Sequence, residues 1–272
     1  MRDVELSQSK HGHRGDGFLA RLRGMGCGAS KGGAGLLAPG PATTKQRPSN
    51  SAAPATSGAA AAAAAAGGLG PPVEPWAALV GTEGVRGPTP TSHWLIKGRV
   101  LVGSCPGTHC YDRTTNKKRR CSRETVQTEL SALQAAGVSQ FFNFQQRMEE
   151  KQCKPYYVTQ LERVWSGHGD TPGVNRFPIV DGGTFSGAEL STIMAAVEES
   201  LRAGHVIYLH CYGGHGRAGI VAAMTLHWVY GCTADEALAV VQLRHGAREQ
   251  SMDGHRSPAC DKQVEQVKNC CR

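Results

Sequence analysis

Aromatic residues make up only 6% of the chain and charged residues only 19%. With so little of either, part of the sequence has no means of packing a core. No apolar run approaches the ~18 residues that a membrane-spanning helix requires, which excludes an integral helical membrane protein. The ten cysteines lack the even, close spacing of a small disulfide scaffold, and no signal-peptide apolar region precedes them, so a reducing, intracellular setting is expected. What is abundant is backbone-breaking residues: 35 Gly and 14 Pro in 272 positions exceed the roughly 12% usual for globular chains. The formal net charge of +8 points to acidic partners, phosphate esters and membrane surfaces among them, without choosing between them.

The shortage is local. Residues 1–91 carry an eight-alanine run, Ala59 to Ala66, between glycines, with scattered Pro and almost no Ile, Val or Phe. A helix that short does not repay its nucleation cost, so a disordered low-complexity tail is expected there. Residues 92–272 are enough for one domain with a real core.

In that region strand and helix patterns alternate. Gly98 to Gly103 predicts a short strand, Ser122 caps a helix to about Ala136, and Ser139 to Phe144 predicts the next strand. A helix is expected over Pro155 to Trp165 and a strand over Asn175 to Val180. In the helix expected over Gly187 to Ala203, Leu190, Ile193, Met194, Val197 and Leu201 recur on one face. His205 to His210 is too apolar for an edge strand, and Ala218 to Tyr230 is an apolar, central helix. Thr233 with Glu236 forms a capping box, and Ser257 followed by Pro258 opens the last helix. The alternation predicts a single α/β domain, its central, largely parallel sheet flanked by helices.

The informative stretch is His210-Cys-Tyr-Gly-Gly-His-Gly-Arg-Ala-Gly219, between the apolar strand and the apolar helix. Its glycines let successive backbone N–H groups turn inward as an anion nest, and the helix that starts there adds its positive end. Tyr212, Gly213, Gly214, His215 and Gly216 form the expected phosphate-binding loop. Arg217 offers a bidentate fork to phosphate oxygens. Cys211 sits beneath, where positive potential stabilises a thiolate. A cradle for a dianion over a nucleophile is a site for phosphate-ester hydrolysis, and such a reaction needs a general acid for the leaving oxygen. Asp181 is the candidate, following the strand that ends in Ile179-Val180, with Gly182 and Gly183 to let its loop move.

Cys211-x5-Arg217, preceded by His210, resembles the signature of the cysteine-based protein tyrosine and dual-specificity phosphatases. The loop is most similar to that of the cyclin-dependent-kinase-associated group. Phe177-Pro-Ile-Val-Asp-Gly-Gly-Thr184 resembles that group's acid loop, thirty residues before the cysteine. Weaker similarity covers Val102 to Pro106, Glu129 to Phe144, and Ser257-Pro258 with Gln263. The resemblance spans most of 94–272 and none of the tail. It implies attack by Cys211 on phosphorus while Asp181 protonates the leaving oxygen, then Asp181 as base for the water that frees the phosphoenzyme. Arg217 and the loop amides would hold the equatorial oxygens, and His210 would orient the cysteine backbone and tune the thiolate. No metal and no cofactor is implied. A phosphoprotein substrate, a protein kinase among the options, is preferred over a lipid because loop positions 212–216 carry no lysine. A monomer that binds no nucleic acid is expected.

Two positions depart from the family pattern. Ala218 stands where a Ser or Thr hydroxyl usually helps the thiolate leave, so slow dephosphorylation of the enzyme is expected, and a phosphate-binding module with little turnover is the alternative. Phe185 replaces the proline often found after Gly-Gly-Thr. Competing readings are weaker. Gly214-x-Gly216-x-x-Gly219 fits a dinucleotide fingerprint, with Asp235 and Glu236 downstream, but it leaves too little chain for that domain and no task for Cys211 or Arg217. Cys105, His109, Cys110 and Cys121 lack a zinc-knuckle spacing. Gly28-Ala-Ser-Lys-Gly32 matches a nucleophile elbow by chance, with no strand before it. Arg113 to Arg120 is a basic stretch best taken as a solvated loop, with docking or localisation as alternatives. Gln263 would position the hydrolytic water by analogy, though an ordinary helix residue explains it as well. Cys270-Cys271-Arg272 fits no prenylation box and suggests a frayed end.

One tail signal is sharper. If translation began at Met25, Gly26 would accept myristate and Cys27 palmitate, and two chains would anchor the protein to a membrane surface. The competing account is an organelle-targeting peptide; otherwise a cytoplasmic protein is expected.

Overall fold

The computed structural model describes residues 73–108, 111–112, 117–118, 122–250 and 255–271. In chain order the elements are α1 (Trp76–Leu79), β1 (His93–Ile96), β2 (Val100–Ser104), β3 (Tyr111–Asp112), β4 (Lys117–Lys118), α2 (Arg123–Ala135), β5 (Val138–Asn143) and α3 (Arg147–Glu150). A 3-10 turn (Tyr157–Gln160) leads into α4 (Leu161–Trp165), followed by β6 (Gly173–Arg176), α5 (Gly187–Arg202), β7 (Val206–Cys211), α6 (Arg217–Tyr230), α7 (Ala234–Gly246) and α8 (Asp261–Cys270). The main sheet runs β1-β2-β7-β5-β6, with β1 antiparallel to β2 and every other pairing parallel. The expected α/β architecture with a central, largely parallel sheet is present. Among the described residues no helix is long and apolar enough to cross a membrane.

The sheet separates two packed faces. On β7, Ile207 and Leu209 face α5 and α6, whereas Tyr208 faces Leu130, Phe141 and Trp165 on the other side, as the two-residue period of a strand requires. Leu190, Ile193, Met194, Val197 and Leu201 of α5 are all buried, as their spacing predicts. Helix α6 buries all ten residues from Arg217 to Leu226, so it lies centrally. Ser122, Ser186 and Thr233 each cap a helix by accepting a backbone N–H three residues on, satisfying donors that helix starts leave free. Helix α6 has Gly216 at this position and no side-chain cap.

Several expectations need correction. Residues 73–91, expected to belong to the tail, pack on the domain. Leu79 and Val85 are buried, Trp76 meets Tyr230 at 5.4 Å, and Arg244 donates to the carbonyls of Ala78 and Leu79 at 3.0 and 3.1 Å. The glycines and prolines around these few apolar residues hid them. Residues 1–72, with the alanine run, Gly28 to Gly32 and the Met25-Gly26-Cys27 signal, lie outside the described residues. Strand β6 ends at Arg176 and does not reach Val180, although Phe177 N–H still donates to Asn143 O at 2.9 Å and, at 3.4 Å, Ile179 N–H to Phe144 O. The helix expected from Pro155 begins as a 3-10 turn at Tyr157. Helix α8 opens at Asp261, not at Ser257, because Ser257 uses its hydroxyl elsewhere. Its end is not frayed: Cys270 is helical and the Cys271 sulfur lies 3.6 Å from that of Met224.

Candidate active site

Parallel β7 delivers Cys211 to the carboxyl edge of the sheet, where loop 212–216 turns the chain into α6, the usual place for a ligand in such sheets. The loop's shape follows from where its carbonyls go. Cys211 O accepts from Cys105 N at 3.0 Å and Tyr212 O from the same N–H at 3.1 Å. Gly213 O and Gly214 O accept from Arg248 at 3.3 and 2.9 Å, and His215 O accepts from the Ser257 hydroxyl at 2.8 Å. In a planar trans peptide N–H and C=O point opposite ways. Five successive carbonyls drawn outward therefore turn the N–H groups of residues 212–216 into the bowl. One of them, Gly214 N–H, donates to Cys211 Sγ at 3.2 Å. Position 214 must be glycine: its φ is +71°, and a Cβ there would lie 2.2 Å from Gly103 O.

Arg217 opens α6 with its side chain 1% exposed. Its Nη1 and Nη2 donate to Glu149 Oε2 and Oε1 at 2.6 and 2.7 Å. Nη1 also reaches Ile179 O at 3.0 Å and Phe144 O at 3.3 Å. Nη2 pairs with Asp181 Oδ1 at 2.9 Å. Arg217 Nε is buried and has no partner. Burial alone would lower the arginine's pKa; the Glu149 hydrogen bonds, with the charges of Cys211, Glu149 and Asp181, outweigh it and raise it. Burial likewise opposes the Glu149 carboxylate, but the Arg217 bonds and Gln146 N–H hold its pKa below the usual range.

Asp181 is 81% exposed, and the loop that carries it is tied down on its far side. Gln263 Nε2 donates to Gly183 O at 2.9 Å while its Oε1 accepts from Ala259 N at 3.0 Å. Gln263 is fully buried, and its amide holds the loop from beside Gly216. Phe185 N–H donates to Gln266 Oε1 at 3.1 Å, a bond that proline at this position could not make, and its ring packs edge-on against Phe144. His210 is fully buried. Burial lowers its pKa to about 3 against the opposing pull of the Cys211 carbonyl, so it is neutral. Nδ1–H then donates to Cys211 O at 3.3 Å and Nε2 accepts from Tyr157 O–H at 2.8 Å. His210 can therefore orient the cysteine backbone but brings no charge to the thiolate. Ala218 is buried and supplies no hydroxyl.

The structure thus brings Cys211, Arg217, Asp181, His210 and loop 212–216 to one edge. Cys105 lies beside Cys153, with their sulfurs 3.9 Å apart. His109, Cys110 and Cys121 fall outside the described residues, as do the side chains of the basic stretch 113–120. Among the described residues no cluster is arranged to hold a metal. Sequence reasoning missed Glu149, Arg248 and Tyr157, and gave Ser257 a helix-start role in place of its bond to the loop. Only Glu149 had a local signal, since Gln146-x-x-Glu149 is a helix-start pattern.

The family model for the "Swiss Army Knife protein, DSP-PTPase phosphatase domain" matches residues 115–266, more than half of the chain. The chain belongs to the DSP-PTPase phosphatase family. The tyrosine phosphatase-like protein 067L of Invertebrate iridescent virus 3 is 33% identical to this DSP-PTPase member over 124 residues, which are 44% of this chain and 47% of that protein. Human cyclin-dependent kinase inhibitor 3 is 31% identical over 137 residues, 49% of this chain and 59% of that one. The chain therefore spans about half to three-fifths of the length of these relatives. Among solved structures, Tk-PTP in its active form superposes with a TM-score of 0.46 at 21% identity, covering 66% of this chain and 95% of that one. Kinase associated phosphatase with its catalytic cysteine replaced by serine gives 0.44 at 24% identity, covering 62% and 83%. Both likenesses are loose, and the assignment rests on the family match.

Proposed function

We propose that this DSP-PTPase member hydrolyses phosphate monoesters on proteins through a phosphocysteine. Cys211 Sγ attacks phosphorus, the S–P bond forming as the P–O bond to the leaving group breaks, and Asp181 gives that oxygen its proton. Water then attacks phosphorus, the S–P bond breaks, and Asp181 takes the proton. Arg217 and the N–H groups of residues 212–216 hold the equatorial oxygens in both steps. No step calls on a metal.

The observation that carries this reading is the guanidinium of Arg217. Glu149 fixes its outer edge, while the buried Nε–H, on the other edge, has no partner. A buried donor left unpaired costs free energy, and a phosphate oxygen placed over Cys211 would satisfy it. The likeness to cyclin-dependent kinase inhibitor 3 and the absence of lysine at positions 212–216 support a phosphoprotein, protein kinases included, as substrate.

The test is hydrolysis of p-nitrophenyl phosphate, and of phosphotyrosine and phosphothreonine peptides, by the full chain with EDTA present. Activity that survives EDTA and is lost in Cys211→Ser, with a phosphocysteine trapped at low pH, is the expected result. Phosphate binding without release of product would overturn it in favour of a recognition module.

A further inference from the structure

Arg248 lies beneath the phosphate loop, 4% exposed, and the chemistry proposed above gives it no task. Its Nε donates to His93 Nδ1 at 2.9 Å, Nη2 to Gly214 O at 2.9 Å and more distantly to Val102 O at 3.5 Å, and Nη1 to Gly213 O at 3.3 Å. None of these four acceptors is a carboxylate. Arg99, also buried, gives its guanidinium to the Leu201 carbonyl at the far end of β2 from the bowl; the two buried arginines nearer Arg248 differ from it in having acids. Arg217 has Glu149 and Asp181, and Arg244 has Glu74 at 3.5 Å.

A guanidinium taken out of water without a carboxylate partner is expensive, and the groups that accept hydrogen bonds from this one are neutral. His93 accepts from Arg248 at Nδ1, which fixes its proton on Nε2, and burial followed by the charge of Arg248 pushes its pKa well below normal. Burial also holds His245 neutral at neutral pH, its pKa lowered to about 3. Burial lowers the pKa of Arg248 itself to about 10, with Tyr208 and Cys211 pulling the other way, so it remains a cation at neutral pH.

We propose that Arg248 is a positioning residue of the phosphate site, whose missing counter-charge is the dianion bound in the bowl above Cys211. Two things follow from its place. By drawing the carbonyls of Gly213 and Gly214 downward it turns the next two N–H groups, of Gly214 and His215, toward the ligand. It also sets a second buried cation on the side of the loop away from the ligand, where little solvent screens it. Arg217 acts by touching the phosphate; Arg248 acts through the loop. The inference rests on the reading of the bowl as a phosphate site.

The experiment measures inorganic phosphate and tungstate binding by calorimetry in a Cys211→Ser background, where turnover cannot interfere. It compares Arg248, Arg248→Gln and Arg248→Lys, with circular dichroism to confirm folding. Arg248→Gln should weaken both anions by about 10- to 100-fold, while Arg248→Lys, which keeps the charge and loses the fork, should recover to within about 10-fold of the parent. In the active protein the same two variants should raise KM and the phosphate inhibition constant in parallel. Equal anion affinity in the parent and Arg248→Gln would overturn the inference while leaving the phosphate site standing. Equal loss in folded Gln and Lys variants would show that loop shape alone matters and would overturn the counter-charge role. No anion binding by the parent would instead refute the phosphate site itself, and the inference with it. Should Arg248→Gln fail to fold, the Lys variant decides: near-parental affinity supports the role, and lost affinity refutes it.

Discussion

The substitution Glu149→Gln tests whether the phosphate clamp is built by a residue that never touches phosphate. Glu149 makes two charge-assisted bonds of 2.6 and 2.7 Å to a guanidinium that is 1% exposed. Removing one partner of a fully buried pair costs about 3–5 kcal/mol. Three features reduce that figure here. The Glu149 side chain keeps 15% of its exposure, glutamine retains one acceptor, and Asp181 still pairs with Nη2 at 2.9 Å. A stability loss of about 1–3 kcal/mol is expected, measured by urea unfolding at pH 7. The sign of its pH dependence is fixed. The folded-state pKa of Glu149 is depressed, so its contribution is complete above the unfolded value of about 4.3 and is lost as pH falls below that. The gap between parent and variant should therefore narrow in acid. A clamp free to rotate should lower kcat/KM by about 100-fold. In addition Arg217 would then depend on Asp181 for its counter-charge, drawing the acid away from the leaving oxygen, so kcat should fall more than KM rises. Parental stability, parental phosphate inhibition and unchanged kcat in Glu149→Gln would refute this account.

Three further outcomes are expected. Ala218→Ser should speed breakdown of the phosphoenzyme by roughly 10-fold, the value of one hydrogen bond to a departing thiolate; stopped-flow with p-nitrophenyl phosphate should show the burst shrink, and unchanged turnover would sink the idea. Tyr157→Phe leaves His210 Nε2 buried without its 2.8 Å donor, so unfolding should show a loss of about 1–3 kcal/mol; a loss within error would mean that the imidazole readily finds another partner. Finally, His210 and His245, both lowered to about 3 by burial, take up protons only on unfolding between pH 6.5 and 3. Each should cost about 1.4 kcal/mol of stability per pH unit as pH falls through that window. Denaturant titrations of the parent and His245→Gln should differ in slope there, and parallel curves would argue against a neutral buried histidine.

The centre of the site was legible because its chemistry is contiguous. Strand β7, the loop and the start of α6 form one stretch from Val206 to Arg217, so the proposed nest, nucleophile and clamp could be read as a unit. The caps at Ser122 and Thr233 and the buried face of α5 were legible for the same reason, since each rests on residues three or four apart. What failed to show was set by tertiary contact. Arg248 follows Gly214 by 34 positions and has nothing around it in sequence to distinguish it from a surface arginine. Ser257 with Pro258 looks like a helix start until the His215 carbonyl is found to need the hydroxyl. Glu149 sits in a four-residue helix, too short for periodicity to mark. Residues 73–91 had the composition of a tail, yet the turns made by their glycines and prolines carry Leu79 and Val85 into the core.

On the proposed mechanism, the hydrogen bonds of Arg217 also link substrate arrival to Asp181. Nη1 is used by Glu149 and two carbonyls, and Nη2 by Glu149 and Asp181; Nε alone is unpartnered. A phosphate gripped in bidentate fashion needs Nε–H and a second donor on the same edge. That second donor is the Nη2 hydrogen now facing Asp181. On the proposed mechanism, binding the ester therefore displaces Asp181 from the clamp and frees it for the leaving oxygen. The displacement is confined to a short segment. Ile179 O stays on Arg217 Nη1, and Gly183 O and Phe185 are held by Gln263 and Gln266 of α8. Between those anchors lie Val180, Asp181 and Gly182, a turn closed by Gly183 N–H on Val180 O at 2.8 Å and touched by Cys260 Sγ at Gly182 O at 3.8 Å; Val180 is 59% exposed, and the φ of +66° at Gly182 is one that glycine adopts without strain. Three residues can re-aim one carboxylate while the bowl beneath them keeps its shape, which is the division of rigidity that an acid–base step above a fixed nucleophile requires.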